Sequence, residues 1–276
     1  MKKNVALVLS SGGARGLAHI GAIEELERRG YCITSIAGCS MGALIGAMYA
    51  AGKLAEVKEW MVQLDKKKIL SLVDFSFSLN HLVKGEKVMD ALKEIVPDVN
   101  IEDLPIPYAA VATDWNSGKE VVFKKGSLYE AVRSSISIPL FFNPVRKGEM
   151  LLVDGGLVNG LPLNRVARVK GDLLVGVNVS THDYKEEKLM SDIIDKKTLA
   201  KSLPAAIVKR IMDYQEGLGL NYMTLLSRTI SIMLEQNTRQ QIIISKPDIA
   251  VQVQMKRYGG NDYDKAAEIS LIGENK

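Results

Sequence analysis

The chain has 276 residues, of which 47% are hydrophobic and 25% are charged. This composition is typical of a soluble globular protein with a sizeable core, and it excludes a disordered chain, a collagen and a disulfide-rich scaffold. The formal net charge of +4 is too small to indicate nucleic-acid binding, although it is compatible with transient contact with an anionic lipid surface.

The N-terminus and the cysteine count bear on the compartment. Two lysines precede the apolar stretch Val5–Leu9, as in a signal peptide, but five residues are fewer than the about seven to fifteen of a signal-peptide core. The two cysteines, Cys32 and Cys39, are too few for a disulfide framework, and the three scattered histidines form no local zinc set. We therefore expect a cytoplasmic protein that needs no metal and no cofactor.

The first elements form a predicted βαβ unit. Val5–Leu9 is an apolar run typical of a strand buried on both faces, and Ser11–Gly16 is a glycine-rich loop. Leu17–Arg29 has helical periodicity and ends at Gly30, and Ile33–Ala37 is a second strand. The two strands of such a unit lie parallel in one sheet.

The uncharged segment Tyr31–Gly52 is long enough to span a bilayer. As one helix it would place Thr34, Ser35 and Ser40 in lipid, and its β-branched, glycine-rich beginning disfavours a helix. We predict instead a strand, a tight turn and a helix over Met41–Ala51.

The remaining elements continue an α/β pattern. Helices are predicted at Leu54–Leu64, Glu86–Ile95, Ser127–Ser135 and Asp262–Ile272. Strands are predicted at Tyr108–Thr113, Glu120–Phe123, Met150–Val153, Asp172–Val179 and Ile249–Val253, the first two joined as a hairpin. Asp65–Leu82 is interpreted as a packed loop or a lipid-contacting flap. Residues 184–240 are interpreted as a charged linker and a helical hairpin over Ala205–Glu235, interrupted at Gly217 and Gly219.

Gly38-Cys39-Ser40-Met41-Gly42 is a G-x-S-x-G motif between a predicted strand and a predicted helix. In that context the serine sits on a sharp, strained turn, and the glycines allow strand and helix to approach closely. The partial positive charge at the start of the helix favours an oxyanion. The motif therefore predicts Ser40 as a nucleophile.

The loop Ser11–Gly16 has two possible uses. A dinucleotide site is disfavoured, because Ser11 replaces the first glycine of that fingerprint and no acidic residue follows the second strand. The alternative is a nest of backbone N–H groups that holds an anion beside Ser40. Arg15 lies where a helix dipole disfavours a cation, so it needs a structural carboxylate or an anionic substrate group as a partner.

Two residues are candidates for the base. Asp154 ends a predicted strand, although Asp-Gly alone usually marks a hairpin turn, and His182 follows the next strand. The order Ser40, Asp154, His182 is that of an α/β-hydrolase triad, so a dyad and a triad both remain open. His19 is predicted to be a packing or capping residue, and His81 falls in the predicted flap.

The motifs SGGARG, GCSMG and DGG together resemble the patatin-like phospholipase family, whose pattern is G-G-G-x-R/K-G, G-x-S-x-G and D-G-G/A. The segments Ala131–Val145 and Leu157–Leu163 extend the resemblance over about residues 4–180, and it is strongest to the small stand-alone bacterial members. The resemblance implies one three-layer α/β/α domain over residues 1–276, with a mostly parallel central sheet. Ser11, where the family usually has glycine, is the one departure in these motifs.

The resemblance also implies a chemistry. Ser40 would be the nucleophile and Asp154 the base of a dyad without histidine, and N–H groups in the loop of Gly12, Gly13, Ala14, Arg15 and Gly16 would form the oxyanion hole. The implied function is a serine acyl hydrolase acting on phospholipid, lysophospholipid or another acyl ester. The alternatives are a lipid-binding regulatory protein without turnover, and an acyl-CoA thioesterase or acyltransferase that uses the same site.

Overall fold

The computed structural model describes residues 3–65, 67–69, 86–139, 141–180, 222–255, 258 and 262–274. Its strands are β1 Lys3–Leu9, β2 Tyr31–Cys39, β3 Tyr108–Asp114, β4 Lys119–Phe123, β5 Val145–Lys147, β6 Met150–Asp154, β7 Leu173–Asn178 and β8 Ile249–Gln252. Its helices are α1 Ala18–Arg28, α2 Met41–Ala50, α3 Leu54–Val62, α4 Glu86–Ile95, α5 Leu128–Ser135, α6 Gly156–Asn159, α7 Tyr222–Ser245 and α8 Ala266–Glu274. Short 3₁₀ turns occur at Gly13–Leu17, Ile101–Asp103 and Tyr263–Lys265.

The strands form one sheet in the order β5-β6-β3-β2-β1-β7-β8, with β4 paired to β3. β1 lies parallel to both β2 and β7, and the pairs β2–β3 and β7–β8 are also parallel. β4 and β6 pair antiparallel with β3, and β5 pairs antiparallel with β6. The expected mostly parallel sheet, with β1 and β2 as parallel neighbours, is therefore confirmed.

Apolar packing covers both faces of this sheet. Along β1, Val5, Leu7 and Leu9 join a large cluster that includes residues of α1, α2 and α8. The alternate residues of β1 join a second cluster with Leu161–Val166, against which Ile242 of α7 packs. Strands buried on both faces need apolar residues at every position, which explains the continuous apolar runs in the sequence. The molecule thus has the three-layer α/β/α arrangement that was expected.

The uncharged segment Tyr31–Gly52 lies inside the fold. It forms β2 and α2, joined by the single residue Ser40, and most of its residues are buried. The predicted strand, turn and helix are confirmed. Among the described residues, no helix is long and apolar enough to cross a membrane.

The helical hairpin expected over Ala205–Glu235 is described only in its second half, because residues 181–221 lie outside the described residues. The predicted end at Glu235 is wrong, since α7 continues to Ser245. The polar run after Glu235 holds three glutamines and one arginine, which favour a helix, and the chain meets a proline only at Pro247. The described part of the segment assigned to an insertion, residues 222–240, belongs to this long helix, which packs against α6.

Four short elements were not predicted. Residues 13–17 and 101–103 form 3₁₀ turns, β5 forms a hairpin with β6, and α6 begins two residues after Asp154. The interpretation of Asp-Gly as a hairpin turn is wrong at this position, because the chain passes from β6 into a helix. The predicted flap falls mostly on residues 66 and 70–82, which lie outside the described residues.

The close approach of α2 to the end of β1 depends on Gly42. A Cβ at Gly42 would lie 2.4 Å from the carbonyl oxygen of Leu9 and 2.5 Å from that of Ser10. Gly46, one turn further along α2, has room for a methyl group, because its nearest neighbours are side-chain atoms of Ile36 and Tyr108 at 3.4–3.5 Å.

We predict that Gly42→Ala lowers the free energy of unfolding by about 1–3 kcal/mol through overpacking. Gly46→Ala is the matched control, and it should leave stability unchanged or raise it by up to about 1 kcal/mol through helix propensity. Urea denaturation of both variants measures the difference. Equal losses in the two variants would contradict the assigned contact.

Candidate active site

Ser40 lies on a strained turn between β2 and α2. Its φ is 55° and its ψ is −125°, a conformation that residues other than glycine rarely adopt, and only 2% of its surface is exposed. The Ser40 N–H donates to Ser135 Oγ at 2.9 Å, and Ser135 Oγ donates to the carbonyl of Val111 at 2.6 Å. The end of α5 thus supports the strained turn through a hydrogen bond to its backbone.

Residues 10 and 11, which precede the glycine-rich turn, are fixed to their surroundings. The Ser10 N–H donates to the carbonyl of Val177 in β7 at 3.0 Å, and the Ser11 N–H donates to that of Gly160 at 2.8 Å. His19 Nε2 lies 2.8 Å from the carbonyl oxygen of Ser10. Burial lowers the pKa of His19 to about 4, so its ring is neutral at pH 7 and Nε2–H can donate to this carbonyl. His19, predicted to be a packing or capping residue, is fully buried and contacts this carbonyl rather than capping α1.

The turn Gly13–Leu17 lies beside the serine. A Cβ on Gly16 would lie 2.3 Å from Cγ of Met41, so the residue after Ser40 packs directly on the turn. Gly13 has a φ of 56°, which favours glycine. The first N–H groups of a helical turn, here those of Gly13 and Ala14, have no acceptor within it. The turn that carries these donors therefore contacts the residue that follows Ser40.

Arg15 is largely buried, with 8% of its surface exposed. Its Nε donates to the carbonyl of Gly12 at 3.3 Å. One of its partners is thus a backbone carbonyl within the same turn, a possibility that the sequence did not suggest. The residues assigned to the oxyanion hole form one continuous segment, which contacts Met41, the residue after Ser40, through Gly16. They are Gly12, Gly13, Ala14, Arg15 and Gly16.

The position of Asp154 follows from the register of β3. Ala110 of β3 pairs with β2 on one edge and with β4 on the other, and Ala112 pairs with β4 and with Asp154 of β6. β2 and β6 therefore share the edge of β3 opposite β4. They run toward each other along it, because β2 is parallel and β6 antiparallel to β3. Cys39 pairs with Val111 and Asp154 with the next residue, so the carboxyl ends of the two strands meet.

The Asp154 carboxylate is buried, with 5% of the residue exposed. Oδ1 accepts a hydrogen bond from the Gly156 N–H at 2.7 Å and lies 3.7 Å from the Cys39 Sγ donor. Oδ2 is buried and accepts no hydrogen bond of conventional geometry from the described residues. Hydrogen bonding from Ser40 nevertheless contributes to the electrostatics of the carboxylate, because it lowers the pKa of Asp154.

The electrostatic balance at Asp154 favours a usable base. Burial is the largest effect and raises the pKa of Asp154 from 3.8 to about 6, against the hydrogen bonds from Ser40, Gly156 and Cys39, which lower it. A carboxyl group with this pKa is mostly ionised at pH 7 and is a stronger base than an exposed aspartate.

Sequence reasoning missed the residues that hold the backbones of Ser40 and Asp154 from a distance along the chain. Ser135, Ser137 and Thr113 bind the backbone of Ser40 or Asp154. No local pattern marked these residues, because their contacts join segments far apart in the chain. His182 and His81 lie outside the described residues, so the choice between a dyad and a triad stays a prediction.

Known proteins share this arrangement of motifs. The family model of the patatin-like phospholipases matches residues 7–167. An uncharacterized NTE family protein of Mycobacterium bovis is 48% identical over 176 residues, which are 64% of this chain and 49% of that protein. Neuropathy target esterase sws of Drosophila melanogaster is 32% identical over 187 residues, which are 65% of this chain and 13% of that protein. VipD from Legionella pneumophila, a solved structure, aligns with a TM-score of 0.48 and 14% identity over 99% of this chain and 65% of that chain.

The chain spans about half the length of the mycobacterial relative and a smaller part of the fly esterase. The family model, in contrast, covers more than half of this chain, including Ser40, Asp154 and the glycine-rich turn. The chain belongs to the patatin-like phospholipase family.

Proposed function

We propose that the protein is a serine hydrolase of carboxylic esters in lipids, with Ser40 as the nucleophile and Asp154 as the base. The observation that carries the proposal is the meeting of β2 and β6 along one edge of β3. That pairing sets a serine on a strained turn beside a buried carboxylate whose pKa is raised to about 6. The match to a family of phospholipases supports lipid esters as the substrate class.

The first half of the reaction forms an acyl-enzyme. Ser40 Oγ attacks the ester carbonyl carbon, and its proton passes to the Asp154 carboxylate. The tetrahedral intermediate collapses as the C–O bond to the alcohol breaks, and the departing alcohol oxygen takes the proton from Asp154. The acyl group remains as an ester on Ser40.

The second half releases the acid. A water molecule gives a proton to Asp154 as its oxygen attacks the acyl carbon. The bond to Ser40 Oγ then breaks, and Oγ recovers the proton. The carboxylic acid leaves, and both residues return to their initial protonation states.

The residues Gly12–Gly16 supply the oxyanion donors in this proposal. Backbone N–H groups at the head of the 3₁₀ turn are held by the anchored residues Ser10 and Ser11, so they need no reorganisation as charge develops on the carbonyl oxygen. One such donor typically contributes about 3 kcal/mol to the transition state.

The substrates we propose are phospholipids, lysophospholipids or other long-chain acyl esters, reached through transient contact with a lipid surface. The name phospholipase in the family, and esterase in the fly relative, support ester hydrolysis. The net charge of +4 is compatible with an anionic lipid surface.

Removal of either dyad residue tests the assignment. We predict that Ser40→Ala and Asp154→Asn each lower kcat/KM for p-nitrophenyl butyrate by about three orders of magnitude or more, because nucleophile and base act as one unit. His182→Ala is the control and should keep most of the activity. Lipid product analysis of wild type against Ser40→Ala then identifies the ester that is cleaved. An equal loss in His182→Ala would establish a triad instead.

The pH dependence has a definite sign. Because the ionised form of Asp154 is the base, kcat/KM should rise between pH 5 and pH 7 with an apparent pKa of about 6, and then reach a plateau. Steady-state kinetics in buffers of constant ionic strength measure this limb. A rise centred near pH 4, the value of an exposed aspartate, would show that the carboxylate is not desolvated.

The same burial should make Asp154 costly for stability. Its folded pKa exceeds the unfolded value of 3.8, so the folded state loses stability as pH rises from about 4 to about 6, and the loss is complete above that range. Asp154→Asn should therefore raise the free energy of unfolding at pH 8 by up to about 3 kcal/mol and leave it unchanged below pH 4.

Asp114 provides a control of opposite sign when the free energy of unfolding of Asp154→Asn is measured by urea denaturation at pH 4 and pH 8. Its pKa is lowered, first by the hydrogen bond from Ser117. The ionised form of Asp114 is thus favoured by folding, and Asp114→Asn should lower stability at pH 8. If both variants shift stability in the same direction, the assigned burial cost of Asp154 is wrong.

A further inference from the structure

Cys39 occupies the position next to the proposed nucleophile and is fully buried. Its Sγ lies 3.7 Å from Oδ1 of Asp154, although the two residues are separated by 115 positions in the chain. Neither the reaction steps above nor the G-x-S-x-G pattern assigns any task to this side chain, because the pattern allows any residue there.

The two oxygens of Asp154 have different surroundings. Oδ1 receives the Gly156 N–H at 2.7 Å and faces the Cys39 thiol at 3.7 Å. Oδ2 accepts no hydrogen bond of conventional geometry from the described residues and is shielded from solvent. A carboxylate held at one oxygen by two donors is fixed in rotation about its χ2 angle and presents the other oxygen in a defined direction.

We propose that Cys39 is a positioning residue for the base: its S–H, together with the Gly156 N–H, holds Oδ1 of Asp154 and leaves Oδ2 to exchange the proton with Ser40. This inference rests on the proposed function of Ser40 and Asp154. It gives the residue between Gly38 and Ser40 a task in orienting the carboxylate.

The thiol is suited to this task because it stays protonated. Burial first, and the negative charge of Asp154 second, raise the pKa of Cys39 well above its ordinary value. Cys39 is therefore a donor at every pH at which the enzyme would work, and neither a competing base nor a competing nucleophile. Sulfur is a weak donor, so the contact orients the carboxylate without making it a poor base.

Two other titratable groups near this site, Tyr263 and His19, keep one charge state between pH 5 and pH 8. Burial raises the pKa of Tyr263 to about 12, with a contribution from the Asp154 charge. Glu120 of β4 acts on Cys39 and is paired with Arg165, and His19 has a pKa of about 4. Among the described residues, Asp154 is therefore the group expected to control the acid limb of the rate profile.

Three substitutions separate the donor from the volume of the side chain. Cys39→Ala removes the donor and leaves a small void, Cys39→Val removes the donor and keeps the space filled, and Cys39→Ser keeps a donor. Cys32→Ala is the matched control, because Cys32 is exposed. The measurements are kcat/KM for p-nitrophenyl butyrate from pH 4.5 to pH 9, and the 13C titration of the Asp154 carboxyl carbon, assigned with Asp154→Asn.

We expect the alanine and valine variants to move the acid limb and the carboxyl titration upward by about half a pH unit, because they lose a donor to the ionised form. The shift alone lowers kcat about two-fold at pH 6 and leaves it unchanged at pH 8, and the lost orientation of the carboxylate lowers kcat by a further, pH-independent factor, at constant KM. The serine variant and Cys32→Ala should follow the wild type.

An acid limb that does not move in Cys39→Ala and Cys39→Val, or a serine variant that shifts with them, would overturn the role of Cys39. A proportional loss at every pH without a moved limb is what a packing role alone produces, and it would overturn the role as well. Absence of Ser40-dependent hydrolysis in the wild type would instead overturn the proposed function. The carboxyl titration, which needs no turnover, still reports in that case whether the thiol contacts Asp154.

Discussion

Two strands, β2 and β6, pair with the same edge of β3, and the candidate site depends on this pairing. β2 arrives parallel and ends at Cys39, while β6 arrives antiparallel and ends at Asp154 at the next position of the register. Both strands end at this point. The chain continues from β2 through the strained Ser40 into α2, and from β6 through Gly155 into α6. Backbone pairing, rather than side-chain contact alone, therefore sets the distance between the serine and the carboxylate.

Burial connects the stability of this arrangement with its chemistry. The dry surroundings that raise the pKa of Asp154 to about 6 make it a useful base near neutral pH, and the same desolvation opposes folding whenever the group is ionised. Ser40 adds the strain of a φ of 55°. The closely packed sheet offsets these costs, together with the hydrogen bond that Ser40 donates to Ser135 and those that Asp154 accepts from Thr113 and Gly156. The site is thus supported by residues on β3, α5 and α6, which take no part in the proposed proton transfers.

Much of this arrangement could be predicted from local sequence. The G-x-S-x-G motif predicted the turn because close backbone contacts require its glycines, as at Gly42. The continuous apolar runs predicted strands that are buried on both faces. The role of Asp154 was harder to predict, because Asp-Gly usually indicates a hairpin turn. Only the resemblance to a family favoured a catalytic role over that turn. Ser135 and Cys39 could not be found, because their contacts with Ser40 and Asp154 join residues about a hundred positions apart through sheet pairing. The end of α7 was missed because no glycine or proline marks a stop at Glu235.

The most direct test of the central claim is the rate at which a fluorophosphonate labels Ser40 at pH 7 in the wild type and in Asp154→Asn, followed by mass spectrometry of the labelled peptide. This rate depends on activation of the serine and not on lipid preference. We expect labelling at Ser40 in the wild type and a rate lower by about two orders of magnitude or more in Asp154→Asn. Equal rates in the two proteins, or labelling at another residue, would contradict the assignment of Asp154 as the base for Ser40.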